Sequence, residues 1–126
     1  MKRYFDVVGP SEFARMLRGI RLEKVDIVVV QVKHDGSNIL KIGSDYFTRN
    51  LNPIPPNWKS VIDSMFPEIK NSKYDFYFEL GGENNAPAGF TKCWRGAWDY
   101  RVLEAYPYRY PLDFLRDEGL KLAEVL

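Results

Sequence analysis

The segment from Val25 to Lys33 constrains this chain most, because it is dominated by β-branched residues. Such side chains lose χ1 freedom in a helix and pack well on a pleated surface, so the run predicts a buried strand. The turn signal Asp35–Gly36 follows it, and then a second apolar stretch, Asn38 to Ile42. An Asp-Gly pair between two such stretches predicts a hairpin, with Asn38–Ile42 as the returning partner. A core begun in this way commits the chain to a sheet.

The rest of the chain alternates strand and helix signals irregularly. Pro10–Ser11 opens a helix that Ser11 can cap, with Phe13, Met16, Leu17 and Ile20 at helical spacing and Gly19 weakening its end. Gly43-Ser44-Asp45 turns the chain into a third strand, Tyr46–Arg49, and a proline-rich loop covers Asn52 to Pro56. Trp58 to Met65 reads as a helix with Trp58, Val61, Ile62 and Met65 on one face. Asp75–Leu80 and Tyr100–Tyr106 read as strands separated by a loop that includes Gly81 to Gly89. Pro111 to Leu122 reads as a last helix, with Leu112, Leu115 and Leu122 as its apolar points. The predicted class is α+β, a mainly antiparallel sheet with flanking helices in a single domain over residues 1–126.

Composition narrows the function classes. The 18 Lys+Arg against 17 Asp+Glu are mixed along the chain, which argues against a basic nucleic-acid tail or an acidic disordered segment. No apolar stretch reaches membrane-spanning length, and no apolar region follows Met1-Lys2-Arg3 to form a secretory signal. A single cysteine, Cys93, excludes an internal disulfide and a zinc site built on paired thiolates. A cytoplasmic setting without membrane partners is expected. His34 is the only histidine, which leaves little support for a Ser-His-Asp hydrolase or a His-rich metal site. No Gly-x-x-x-x-Gly-Lys-Ser/Thr cradle occurs in the Gly81–Gly89 loop.

The chemistry concentrates at Lys33-His34-Asp35-Gly36-Ser37-Asn38. A lysine at the end of an apolar strand leaves a low-dielectric environment with its amine directed into a cleft. Desolvation and neighbouring cations favour the free amine, the nucleophilic form. Gly36 lets the backbone approach a phosphate or ribose closely. Strand alternation puts Gln31 on the same face as Lys33, where its amide can read an adenine edge. Taken alone, the same residues also describe an ordinary hairpin with a solvated lysine.

This segment resembles the first signature, Lys-x-Asp-Gly-x-Arg/Asn, of the covalent nucleotidyltransferases: the ATP-dependent DNA ligases, the RNA ligases and the mRNA capping enzymes. Asn38 looks more like the RNA-ligase branch. Further stretches match in order. Tyr46-Phe47-Thr48-Arg49-Asn50 is similar to the family's next element, whose arginine lies near the ribose and phosphates. Phe76-Tyr77-Phe78-Glu79-Leu80-Gly81 is similar to the third-signature strand, whose glutamate contacts the ribose, and Gly82-Glu83-Asn84-Asn85 resembles the loop after it. Asp99-Tyr100-Arg101-Val102-Leu103-Glu104-Ala105 sits where the family has a strand supporting the base, with Leu103 at the stacking position.

The resemblance implies a partial nucleotidyltransferase (ATP-grasp-like ligase) domain, its N-terminal part. Lys33 would be the adenylation nucleophile, with Gln31, Asp35, Gly36, Asn38, Arg49 and Glu79 lining the nucleotide site. ATP and Mg2+ would be the cofactors, lysyl-AMP the intermediate, and RNA or DNA ends the polymer substrate. No metal-ligating side chains of the chain itself are assigned. The family's fourth signature, Glu-Gly-x-Val, and fifth, Lys-x-Lys, do not follow; Glu118-Gly119-Leu120-Lys121 mimics the fourth within a helical pattern. Two alternatives therefore stay open: a nucleotide- or RNA-binding module without chemistry, and one half of a split ligase completed by a second chain.

Lys92, Trp94, Arg95, Trp98, Tyr100 and Arg101 interleave basic and aromatic residues, a composition suited to single-stranded nucleic acid. Trp94 and Trp98 serve equally well as anchors of a loop to the core, and Cys93 reads as structural. Unpaired edges at Phe76–Leu80 or Val102–Tyr106 would template a homodimer or a heterodimer with a complementing chain.

Overall fold

A computed structural model describes residues 10–19, 28–86, 94–106 and 111–126. The chain is α+β, built on a four-stranded antiparallel sheet in the order β2-β1-β3-β4. The strands are β1 (Ser37–Ile42), β2 (Asp45–Thr48), β3 (Asp75–Gly81) and β4 (Asp99–Tyr106). The helices are α1 (Pro10–Leu17), α2 (Pro56–Met65), α3 (Pro67–Asn71) and α4 (Asp113–Arg116). None of them is long and apolar enough to cross a membrane.

Alternation along the strands divides the sheet into two faces. Ile39, Tyr46, Phe76, Phe78, Leu80, Tyr100 and Val102 form one face and pack with Ile62 of α2, Ile69 of α3 and Leu115 of α4 into the core. Asn38, Leu40, Tyr77 and Glu79 belong to the other face and are also buried. A β-bulge shapes that second face: Tyr77 pairs with Glu104 and Phe78 with Val102, leaving Leu103 as an extra residue. Such a bulge re-aims a side chain that regular alternation would direct elsewhere.

The described part of the Val25–Lys33 run, residues 28–33, forms no ladder; it makes one bridge, Gln31 to Val125, and leaves Val28 and Val30 about half exposed. Its backbone pairs instead with the C-terminal segment, through Val32 N–H to Glu124 O and Leu126 N–H to Val30 O, both 2.8 Å. The strand that pairs with β1 on this side is β3, with Asn38 opposite Glu79. Ser11 lies inside α1, which starts one residue earlier at Pro10, where a proline's missing N–H costs nothing. Pro56 opens α2 in the same way, and α3, which the sequence reading did not assign, begins at Pro67.

The expected helix over Pro111–Leu122 is only α4, followed by a turn. Gly119 takes φ +83°, a left-handed conformation that ends the helical path. The chain then runs extended along β4: Val102 donates to Lys121 O at 2.7 Å, and Ala123 donates to Val102 O at 2.8 Å. β3, expected as a possible edge, is thus interior to the sheet, and β4 carries the C-terminal segment at Val102.

Candidate functional site

A cleft of about 330 Å³ opens over the second face of the sheet. It is lined by Glu12, Val32, Lys33, His34, Asp35, Gly36, Asn38, Arg49, Glu79 and Leu103. Lys33, Asp35, Gly36, Asn38, Arg49 and Glu79, drawn from three separate stretches of sequence, thus meet in one place. Asn38 is the second residue of β1, Arg49 follows β2, and Glu79 stands on β3, while the segment before β1 carries Lys33 to Gly36.

The turn is tied to β3. Gly36 N–H donates to Glu79 Oε2 at 2.9 Å. A Cβ at Gly36 would sit 2.4 Å from Leu80 O, so glycine is required by this close approach to β3 itself. The Lys33 side chain is 56% exposed, and its Nζ lies 3.8 Å from Asp35 Oδ1. The amine is therefore accessible to a ligand in the cleft.

Glu79 is 8% exposed, and burial pushes its carboxyl up to about 7. The Gly36 N–H and the Arg49 guanidinium act in the opposite direction, and the Asp35 carboxylate adds to the rise. Asn38, opposite Glu79 on β3, is 7% exposed; its amide favours the charged form of that carboxylate, and its Nδ2 makes no other close hydrogen bond. Leu103, delivered by the bulge, and Val32 supply the apolar lining.

Gln31 departs from expectation. Its Nε2 donates to Leu103 O at 2.7 Å, and Gln31 is not among the lining residues. The physical reason is that residues 28–33 are not a regular strand, so alternation does not put Gln31 beside Lys33 on a sheet face. His34 lines the cleft and faces the Trp94 ring at 5.2 Å; burial, aided by Arg101, lowers its pKa.

The basic–aromatic stretch is divided between surface and core. Lys92 and Cys93 lie outside the described residues. Arg95 is exposed, whereas Trp94 is 5% exposed and donates its Nε1–H to Asp35 O at 2.6 Å, which is the anchoring role. Arg101 pairs with Asp99 at 3.0 Å, and Lys121 reaches the same carboxylate at 2.9 Å. Burial alone would raise Asp99, but these cations and the Tyr100 N–H hold it below the usual carboxylate range. Not legible in the sequence were Glu12 of α1, Val32 and His34 as lining residues and the Trp94–Asp35 bond. Only the position of Trp94 beside Gly81 in space, not in sequence, reveals that bond.

A more open depression of about 450 Å³ lies between α3 and the end of α4, lined by Pro67, Glu68, Asn71, Ser72 and Glu118. Among the described residues no group of three or more His, Cys, Asp or Glu is placed to hold a metal ion. Comparison with family models, curated proteins and solved structures finds no match to this chain.

Proposed function

We propose that this chain is an ATP-dependent nucleotidyltransferase of the RNA-ligase kind, which takes up AMP on Lys33 for polynucleotide end joining. The observation that carries the reading is convergence. Lys33, Asp35, Gly36, Asn38, Arg49 and Glu79, from three family-like stretches of the sequence, line a single cleft with the Lys33 amine accessible to it.

In the proposed reaction the free amine of Lys33 attacks the α-phosphorus of ATP. A P–N bond forms, the bond to the β-phosphate oxygen breaks, and pyrophosphate leaves with that electron pair. The Lys33 ammonium releases one proton to solvent before attack, and the nitrogen releases a second to solvent as the P–N bond forms. Arg49 supplies positive charge for the phosphates, as such transfers require. Asn38, beside Glu79 in the cleft wall, offers its amide to an oxygen of the nucleotide. Magnesium enters as part of the metal–triphosphate substrate.

A binding module without transfer chemistry is favoured by one observation. The Lys33 Nζ lies 3.8 Å from the Asp35 carboxylate, an ion-pair partner for an ammonium, whereas attack needs the free amine. One experiment separates the two. Incubation with ATP labelled at the α-phosphate and magnesium should leave an acid-labile, base-stable label on the wild type and none on Lys33→Ala. Saturable ATP binding without label would replace the ligase reading with the binding one.

A further inference from the structure

Lys33, His34 and Asp35 belong to no helix or strand, yet the proposed chemistry requires the Lys33 amine to be held in line with a phosphorus atom. The turn is gripped from two sides. On one side Gly36 N–H donates to Glu79 Oε2, and the Gly36 Cα lies against the Leu80 carbonyl. On the other, the carbonyl of the preceding residue, Asp35, accepts the Trp94 indole N–H at 2.6 Å. The indole is itself seated tightly: a Cβ at Gly81 would fall 2.0 Å from Trp94 Cε2. His34 packs on the same ring at 5.2 Å. Trp94 does not line the cleft and meets it through Asp35, His34 and Gly81.

We propose that Trp94 is a positioning residue for the nucleophile, its indole N–H holding the Asp35 carbonyl and thereby the backbone from which Lys33 projects. The proposal rests on the adenylation reading for its kinetic consequence, but not for its structural one. Asn38 and Glu79 stand on paired β1 and β3, and Arg49 directly follows β2, so their backbone is held by the sheet ladder rather than by the Trp94 N–H. Loss of the N–H therefore slows transfer while leaving nucleotide affinity nearly intact, a split that general destabilisation would not produce.

The test is Trp94→Phe, which keeps an aromatic ring over Gly81 and removes the donor. Self-adenylation is followed as a function of ATP concentration, alongside hydrogen exchange of the Gly36 amide in the unliganded protein. The expected result is a maximal rate down by about ten-fold or more, a half-saturating ATP concentration within about two-fold, and Gly36 exchange faster by a similar factor. A wild-type rate, or a loss confined to ATP affinity, overturns the proposal. If the wild type takes no label, the adenylation reading fails by itself, and Gly36 exchange alone decides: unchanged protection in Trp94→Phe overturns the positioning role. If Trp94→Phe does not fold, the wild-type indole N–H resonances, assigned with Trp58→Phe and Trp98→Phe, take its place. A Trp94 N–H that resists exchange and shifts on adenylation supports the role; one that exchanges at the rate of a free indole removes it.

Discussion

The Gly36 backbone N–H donates to the Glu79 carboxylate across 43 residues of sequence, at 2.9 Å. One hydrogen bond thus joins the turn bearing the candidate nucleophile to β3, an interior strand of the sheet. It also puts a buried carboxyl, pushed up to about 7, at the base of the cleft.

Stability should therefore depend on pH in an unusual direction. Between the ordinary glutamate pKa of 4.5 and about 7, native Glu79 holds a proton that the unfolded chain has released. Stability from this group is complete below that window and is lost as pH rises through it, on the order of 3 kcal/mol in all. Glu104, raised to about 7 by burial, acts in the same sense. His34 opposes both, since its lowered pKa removes stability as pH falls through 6.5. Comparing wild type with Glu79→Gln cancels the other groups. The variant's advantage in urea unfolding should grow from pH 5 to pH 8 by about 2–3 kcal/mol, and a difference independent of pH would refute the assignment.

Gly36→Ala should destabilise the protein through collision with β3. The new Cβ would stand 2.4 Å from Leu80 O and 3.0 Å from Leu80 C, and β3 is held between β1 and β4. Overpacking of this kind costs about 1–3 kcal/mol. Thermal melting should show the loss without any ligand present. An unchanged melting temperature would mean that the turn does not rest on β3.

Lys41→Met should also destabilise, although it removes a buried charge. Lys41 has no exposed surface, and its Nζ donates to Ser72 O at 3.1 Å and Tyr74 O at 2.6 Å, above the Phe76 ring. Burial lowers its pKa, so holding the ammonium has a cost that methionine avoids. Two carbonyls would nevertheless lose their donor, at about 1–3 kcal/mol each. Chemical denaturation at pH 7 should show a net loss of about 2 kcal/mol. A variant as stable as wild type would show that those carbonyls find other partners.

Local elements were legible because their signals are local. Alternation and turn residues placed β1 to β4 within one or two residues of their observed ends, and helical spacing located α1 and α2. The order of Lys33, Asp35, Gly36, Asn38, Arg49 and Glu79 along the chain was likewise enough to nominate residues that the fold brings to one cleft. Partnership was another matter. The run ending at Lys33 has every composition signal of a strand, yet β1 pairs with β2 and β3, and residues 28–33 of the run lie against the C-terminal segment. Pairing between backbone groups carries no side-chain label, so propensity cannot say which strand receives another.

Only the tertiary structure decided that the bulge sends Leu103 to the cleft, that Gln31 spends its amide on the Leu103 carbonyl, and that Trp94 holds Asp35. It also decided that Lys41 is buried within the core face, where alternation alone would accept any residue. Each of these is set by contacts distant in sequence, whose geometry exists only after the sheet has assembled. Chemistry-bearing residue types are written into the chain one position at a time. Their donors, acceptors and burial are assigned by neighbours that the chain supplies dozens of residues away.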